Sequence, residues 1–163
     1  MNPCAKQFAL AAHGSQKYGN LPYEVHLTTV AEILGEVAPD LVPDGWLHDV
    51  LEDTSVSGED LAREFGEPVR ARVWACTGVG RNRRERNASI AAKLALCPEA
   101  AIVKLADRIA NMRASRSVPD KRRMYLREYP EFRASAAAVR PSLSASRREQ
   151  LDRLLSLLDE AAA

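Results

Sequence analysis

Residues 47–54 read LHDVLEDT and place four acidic or imidazole side chains within eight positions. On a helix, His48 and Glu52 lie one turn apart, and so do Asp49 and Asp53. Neighbouring acids repel each other, so a structural helix gains nothing from this arrangement, whereas a bound cation reverses the sign of the interaction. Because carboxylates and imidazoles are natural ligands of divalent metals, the stretch predicts a metal site. A solvated acidic helix end is the competing interpretation of these residues taken alone.

Two further segments carry polar side chains where their neighbours are apolar. His26 begins an apolar helix after a Pro-Tyr pair, and Asp107 lies inside the largely apolar segment 103–111. A single histidine in such a place is more often structural. The carboxylate of Asp107 needs a partner, because burial of an isolated charge is costly. An ion pair with Lys104 or Arg108 is the ordinary solution, and a metal shared with the other segments is the alternative.

The composition is that of an ordinary globular protein. The chain has 163 residues, of which 46% are hydrophobic and 28% charged, and its net charge is +1. This balance predicts neither a nucleic-acid partner nor a membrane partner, so local cations must hold any anionic ligand. The three cysteines lack the spacing of a zinc or redox site. The first residues show no apolar signal core and no run approaches a membrane span, so we expect a cytoplasmic protein.

Apolar residues recur at helical spacing along most of the chain, and no stretch alternates as a strand would. We therefore predict one all-α domain covering residues 1–163, without repeats or internal boundaries. The expected helices lie near residues 3–13, 25–37, 46–51, 57–65, 68–74, 90–96, 100–112, 119 onward and 143–158. We expect Pro39 and Pro43 to break the chain, Gly78–Asn87 to form an Arg-rich loop, and Pro130 to bend or interrupt its helix.

Taken together, these segments resemble the HD superfamily of metal-dependent phosphohydrolases, and more narrowly the hydrolase domain of RelA/SpoT proteins and the small alarmone hydrolases. The similarity runs from about residue 5 to residue 115, with a looser match near Tyr125. Its matching pieces are Ala12-His13 with Gln16 and Lys17, Pro22-Tyr23 with His26, Val30–Leu34, Leu47–Thr54, Phe65-Gly66, and Val103–Arg108 with Asn111. A single His-Asp pair is weak evidence, whereas this ordered set with its intervals is specific.

The resemblance implies an HD-type helical bundle with a metal site formed by four residues. The implied ligands are His26, His48, Asp49 and Asp107. The metal is expected to be Mn²⁺, since two imidazoles and two carboxylates suit that ion, and Fe²⁺ or Co²⁺ are acceptable substitutes. Glu52 and Asp53 would then be the catalytic acids, which take a proton from the attacking water.

The resemblance also implies an activity, the removal of the 3′-pyrophosphate from guanosine tetra- and pentaphosphate, leaving GDP or GTP. The expected partner is a small nucleotide, whose many negative charges require cations around it. The candidate substrate-binding residues are Lys17, Asn111 and Tyr125 at the nucleoside, and Arg84, Arg86, Lys104 and Arg108 at the phosphates. A solvated surface loop is the competing interpretation for the arginines, and a place in the core is the competing interpretation for Tyr125.

The match departs from the family pattern after the first helix. Lys17-Tyr18 stands where the family has a basic pair, and the interval from Gln16 to Pro22 is one residue short. Lysine stacks on a purine less well than arginine, so two alternatives stay open. One is hydrolysis of another nucleotide, such as the adenine analogue of the alarmone or the phosphate of NADPH. The other is a catalytically silent nucleotide sensor. The sequence assigns no oligomeric state.

Overall fold

The computed structural model describes residues 4–163, which are helical almost throughout. The α-helices are, in chain order, α1 (Ala5–His13), α2 (Glu24–Val37), α3 (Val42–Leu47), α4 (Val50–Asp53), α5 (Gly58–Phe65), α6 (Glu67–Cys76), α7 (Arg83–Leu96), α8 (Ala100–Ala114), α9 (Pro119–Ala138) and α10 (Ala145–Ala162). Short 3-10 turns lie at Pro39–Leu41, Ser115–Ser117 and Arg140–Ser142. The predicted all-α class is confirmed. No helix among residues 4–163 combines the length and the apolar character that crossing a bilayer requires.

Helix α8 is the central element of the fold. Twelve of its fifteen residues are buried, and α2, α6 and α10 pack around it. A helix that is buried on nearly every side is stable only when other helices surround it. Three of its buried side chains are charged, namely Lys104, Asp107 and Arg108. Since an unpaired buried charge is costly, each of them must meet a partner inside the fold.

A second, smaller core forms where α1, α3, α4, α5 and α6 meet α2. Leu47 and Val50 are fully buried in it. Gly45 allows α3 to approach α2 closely, because a Cβ atom at this position would lie 2.6 Å from Leu34 Cδ1. A larger residue would push the two helices apart. This glycine therefore sets the spacing between two elements that carry the functional site.

The prediction of a continuous helix over residues 46–51 is wrong. Helix α3 already begins at Val42, with Pro43 in its first turn, where the missing N–H group costs no hydrogen bond. It ends at Leu47, and the chain turns at the next two residues before α4 begins at Val50. Adjacent residues of a helix point about 100° apart. The turn instead brings the side chains of His48 and Asp49 together.

The prediction of a loop over Gly78–Asn87 is wrong for the second half of that segment, because α7 begins at Arg83. Asn82 caps this helix, since its side-chain oxygen accepts a hydrogen bond from Glu85 N at 2.9 Å. The first turns of α7 carry mainly polar side chains and therefore lack the apolar periodicity that marks a helix in the sequence. The arginines of this segment consequently have helical spacing.

Pro130 does not interrupt α9, which runs from Pro119 to Ala138. A proline inside a helix removes the hydrogen bond to the carbonyl group four residues earlier. The carbonyl group concerned belongs to Leu126, which is exposed. The missing hydrogen bond therefore lies on the solvent side of the helix, where it is tolerated.

A short antiparallel hairpin, which the sequence pattern did not predict, pairs β1 (Lys17–Tyr18) with β2 (Leu21–Pro22). Two residues per strand are too few to produce a recognisable alternation. Gly19 in the turn has a φ of 61°, a conformation that favours glycine. Pro3, the expected start of the first helix, lies outside the described residues.

Candidate metal centre and active site

Three separate elements bring the four predicted ligands together in the interior. His26 comes from the first turn of α2, His48 and Asp49 from the turn between α3 and α4, and Asp107 from the middle of α8. All four side chains are buried, and one ligand atom of each lies within 4.8 Å of every other. The contact between α2, α3 and α8 therefore creates a compact cluster from residues far apart in sequence.

The distances inside the cluster show that nitrogen and oxygen atoms converge on one point. His48 Nε2 lies 2.9 Å from Asp49 Oδ2, and His26 Nε2 lies 3.1 Å from Asp107 Oδ1. The two imidazole Nε2 atoms are 3.3 Å apart. Two imidazole nitrogens and two carboxylates form a set that suits a divalent transition metal. The charge of such an ion offsets the two negative charges, so the residues present fit a divalent metal ion.

Surrounding groups orient these side chains. His48 Nδ1 donates a hydrogen bond to Gly45 O at 2.7 Å, so Nε2 is the ring nitrogen that faces the cluster. Tyr23 Oη donates a hydrogen bond to Asp49 Oδ2. Lys104 Nζ lies 2.8 Å from Asp107 Oδ2, so the ion pair anticipated from the sequence is present alongside the cluster. Such outer partners fix the direction in which a ligand atom points.

The charges around the cluster shift pKa values in opposite directions. Burial alone lowers the pKa of His48, but Asp49 and Asp107 outweigh it and raise that pKa well above its usual range. Burial raises the pKa of Asp107, yet Lys104 and His48 hold it well below its usual range. The pKa of Asp49 is also lowered, since His48 overcomes the effect of burial. Both carboxylates are therefore ionised near neutral pH, as metal ligands must be.

The two predicted catalytic acids, Glu52 and Asp53, lie at the end of α4 and outside the cluster of four. Glu52 Oε1 accepts a hydrogen bond from Gly78 N at 3.1 Å, and Asp53 Oδ2 accepts one from Gln16 Nε2 at 3.0 Å. Desolvation by the surrounding walls raises the pKa of Glu52, although Lys104 opposes the shift. Each acid is thus held by one donor and retains a free oxygen atom.

A cavity of about 220 Å³ opens beside the cluster and contains both acids. Its lining includes five of the seven predicted substrate-binding residues, namely Arg86, Lys104, Arg108, Asn111 and Tyr125. Arg84 lines an adjoining cavity instead. Lys17 is exposed on β1 and does not line either cavity. The neighbouring Tyr18 stacks on the His26 ring with centroids 4.8 Å apart, and it donates a hydrogen bond to Asn111 Oδ1 at 2.7 Å.

The sequence interpretation missed Glu128, which lines the adjoining cavity together with Arg83. Glu128 binds Arg83 Nε at 2.5 Å and Arg108 Nη1 at 2.8 Å, so one carboxylate joins α7, α8 and α9. Both guanidinium groups also lie over the ring of Tyr125, at 5.4 and 5.2 Å from its centroid. Nothing local in the sequence marks Glu128, because its partners lie 45 and 20 residues away.

The chain is similar in sequence to proteins of known families. A family model described as HD domain matches residues 5–132. The chain is 36% identical over 138 residues to guanosine-3′,5′-bis(diphosphate) 3′-pyrophosphohydrolase of Vibrio cholerae, covering 78% of this chain and 20% of that protein. It is 33% identical over 133 residues to the bifunctional (p)ppGpp synthase/hydrolase SpoT of Escherichia coli, covering 75% and 19%. The chain spans about a fifth of the length of these curated relatives.

A solved structure points to the same fold. It is described as a metazoan ortholog of SpoT that hydrolyzes ppGpp, and it superposes with a TM-score of 0.70 at 24% identity. The superposition covers 98% of this chain and 94% of the other. The family model matches most of the chain, which confirms the resemblance inferred from residues 47–54 and their partners. The chain belongs to the HD domain family.

Proposed function

We propose that this chain is a metal-dependent hydrolase that removes the 3′-pyrophosphate from guanosine 3′,5′-bis(diphosphate) and its pentaphosphate counterpart. The observation that carries the proposal is the cluster of two histidines and two aspartates beside a cavity that contains two further acids and several cations. The activities named for the Vibrio cholerae and Escherichia coli relatives support this substrate. Helix α8 packs against both α2 and α10, near opposite ends of the chain, so we also propose that the chain acts as one domain.

The proposed cofactor is Mn²⁺, held by His26, His48, Asp49 and Asp107. Nitrogen and carboxylate donors in equal number favour Mn²⁺, with Fe²⁺ and Co²⁺ as substitutes. When bound, such an ion polarises the phosphoryl oxygen and lowers the pKa of the attacking water. The orientation of His48 by Gly45 O and the ionised state of the two aspartates support this assignment.

In the proposed reaction, Glu52 or Asp53 accepts a proton from the water that attacks the 3′-phosphorus. A bond forms between the water oxygen and phosphorus, and the bond between phosphorus and the ribose 3′-oxygen breaks. The proton taken up by the carboxylate is then available to the departing 3′-oxygen, which leaves as a hydroxyl group. A carboxylate next to the water is a suitable general base, and both side chains line the cavity with a free oxygen atom.

The remaining polar residues are proposed to hold the substrate. Lys104, Arg86 and Arg108 line the cavity and would offset the charge of the phosphates. Asn111 and Tyr125 are assigned to the nucleoside, because they lie on the cavity wall formed by α8 and α9. Lys17 keeps its proposed role at the nucleoside and Arg84 its proposed role at the phosphates, although neither lines this cavity.

A second candidate is hydrolysis of another nucleotide, such as the adenine alarmone or NADPH. It is favoured by one observation: Lys17 is exposed, while the Tyr18 ring packs against His26 and contacts Asn111. A tyrosine ring offers stacking without the charge of the arginine that a guanine-reading site would use. The silent-sensor alternative is disfavoured by the two acids in the cavity, since a sensor needs no proton acceptor.

The deciding experiment is a substrate panel with purified protein and Mn²⁺. We expect guanosine tetraphosphate to yield GDP and pyrophosphate, and we expect no product after chelation of the metal or with the Glu52→Gln/Asp53→Asn double variant. Hydrolysis of NADPH with both alarmones left intact would favour the second candidate. Bound metal without turnover of any compound would favour the sensor.

A further inference from the structure

A second cavity adjoins the catalytic cavity and is larger. It measures about 710 Å³ and lies between α7 and α9. The two cavities share part of their lining, namely Arg83, Asn87, Ile90, Lys104 and Arg108. Pockets that enclose a nucleotide-sized ligand usually measure roughly 300–1,000 Å³, so the catalytic cavity of about 220 Å³ is too small to hold the whole proposed substrate. Part of the substrate must extend beyond it.

The charge of the second cavity identifies the kind of group that it accepts. Five basic side chains line it against two acidic ones. The basic residues are Arg83, Arg84, Lys104, Arg108 and Arg127, and the acids are Glu128 and Glu131. Apolar residues such as Leu94 and Phe132 form part of the wall. A cleft of one prevailing charge with apolar walls concentrates the electric field, so this cavity favours an anionic group.

The basic residues differ in whether they are already neutralised. Glu128 holds Arg83 and Arg108, and Asp107 holds Lys104. Among residues 4–163, neither Arg84 nor Arg127 forms an ion pair. An arginine whose charge a carboxylate already offsets attracts a further phosphate less strongly than an arginine without such a partner. Arg84 on α7 and Arg127 on α9 are therefore the free cations of this cavity.

We propose that the cavity between α7 and α9 receives the 5′-phosphate arm of the nucleotide, with Arg84 and Arg127 as its contacts. The inference rests on the proposed function and adds a determinant of specificity to it. The 3′-pyrophosphate lies at the four-residue cluster, and the shared wall at Arg83 and Arg108 connects that position to the second cavity. The enzyme therefore distinguishes nucleotides by the number of phosphates at the 5′ position.

The test compares three substrates that carry the same 3′-diphosphate and differ at the 5′ position, which bears a hydroxyl, one phosphate or two phosphates. In the wild type, kcat/KM rises with the number of 5′-phosphates. In the Arg84→Ala/Arg127→Ala double variant, we expect KM for the 5′-diphosphate substrate to rise about tenfold, while the 5′-hydroxyl substrate changes less than about twofold. Arg123→Ala, an exposed arginine of α9 outside both cavities, is the matched control and should leave all three unchanged.

A binding measurement separates this inference from the proposed function. Affinities of the metal-loaded protein for guanosine and for GDP are measured by calorimetry, with circular dichroism as the check of folding. We expect the double variant to lose GDP affinity about tenfold and to keep its affinity for guanosine. If the double variant loses kcat/KM equally on all three substrates, or on none of them, the 5′-phosphate assignment is overturned. If the wild type hydrolyses none of the three, the proposed function fails, and the GDP-to-guanosine ratio still decides the role of the cavity.

Discussion

Gln16 Nε2 donates a hydrogen bond to Asp53 Oδ2 at 3.0 Å, and this contact joins the segment after α1 to the end of α4. Gln16 Oε1 lies 2.8 Å from His13 Nδ1, which must therefore carry the proton. His13 Nε2 is buried and has no hydrogen-bond partner in the described part of the chain, as an unprotonated nitrogen tolerates. The imidazole thus fixes the direction of the Gln16 amide, and the amide fixes Asp53.

The first prediction follows from this chain of contacts. Gln16→Ala should lower kcat about threefold to tenfold and leave KM and metal content unchanged, because it frees Asp53, one of the two proposed bases, without touching a metal ligand. Gln16→Glu should lower kcat further, since its carboxylate repels Asp53. Kinetics and elemental analysis provide the measurement. Loss of metal in Gln16→Ala would show that the glutamine supports the cluster rather than Asp53.

The second prediction concerns the cluster itself. His48→Ala or Asp107→Ala should abolish both metal content and hydrolysis, because each removes one of four proposed ligands. Asp107→Ala should also destabilise the fold, since it leaves the buried Lys104 without its partner. Elemental analysis and thermal unfolding test the two effects. Full metal occupancy in either variant would contradict the ligand assignment.

The third prediction separates ligands from catalytic acids. Glu52→Gln and Asp53→Asn keep the shape of each side chain and remove its ability to accept a proton. Metal should remain, while turnover falls by about a hundredfold or more for the residue that acts as the base. Should one of these variants lose its metal while the other keeps it, that residue is a ligand.

The fourth prediction addresses recognition of the nucleobase of the substrate. Lys17→Ala should raise KM more than it lowers kcat, because a contact far from phosphorus stabilises the ground state and the transition state alike. Tyr18→Phe removes the hydrogen bond to Asn111 and keeps the ring over His26, so it isolates the hydroxyl group. Rates are compared for the guanine and adenine alarmones. Unchanged rates on both in Lys17→Ala would exclude Lys17 from base recognition.

The fifth prediction tests a pH-dependent cap at the start of α5. Ser57 donates from its backbone nitrogen and its hydroxyl to Asp60 Oδ2, at 3.0 and 2.8 Å. These bonds, with Arg63, lower the pKa of Asp60 from 3.8 to about 2. A lowered folded-state pKa stabilises the fold fully above the unfolded value of 3.8, and the contribution is lost as pH falls toward 2. Asp60→Asn should therefore reduce stability in urea at pH 6, with the difference from wild type shrinking below pH 4.

The apolar periodicity was sufficient to predict the helical class, and the resemblance to the HD superfamily supplied the four members of the cluster. The apolar spacing along α2, α8 and α10 repeats every three to four residues, and that period alone indicates helices. His48 and Asp49 are adjacent, and His26 and Asp107 are polar residues in apolar surroundings. Such positions require partners wherever they are buried, so the residues alone marked them as candidates, while an ordinary ion pair or a structural histidine stayed open.

Long-range packing decided the rest. Gly45 lets α3 pack closely against α2, the helix that carries His26. Asn82 caps a helix where the sequence pattern predicted a loop. The pairing of Glu128 with Arg83 and Arg108 joins residues 45 and 20 positions apart, so no local pattern indicates which arginines stay free. The sequence alone gives the charge of a side chain. Whether that charge is already neutralised depends on which helices meet, and this alone made Arg84 and Arg127 the available cations of the second cavity.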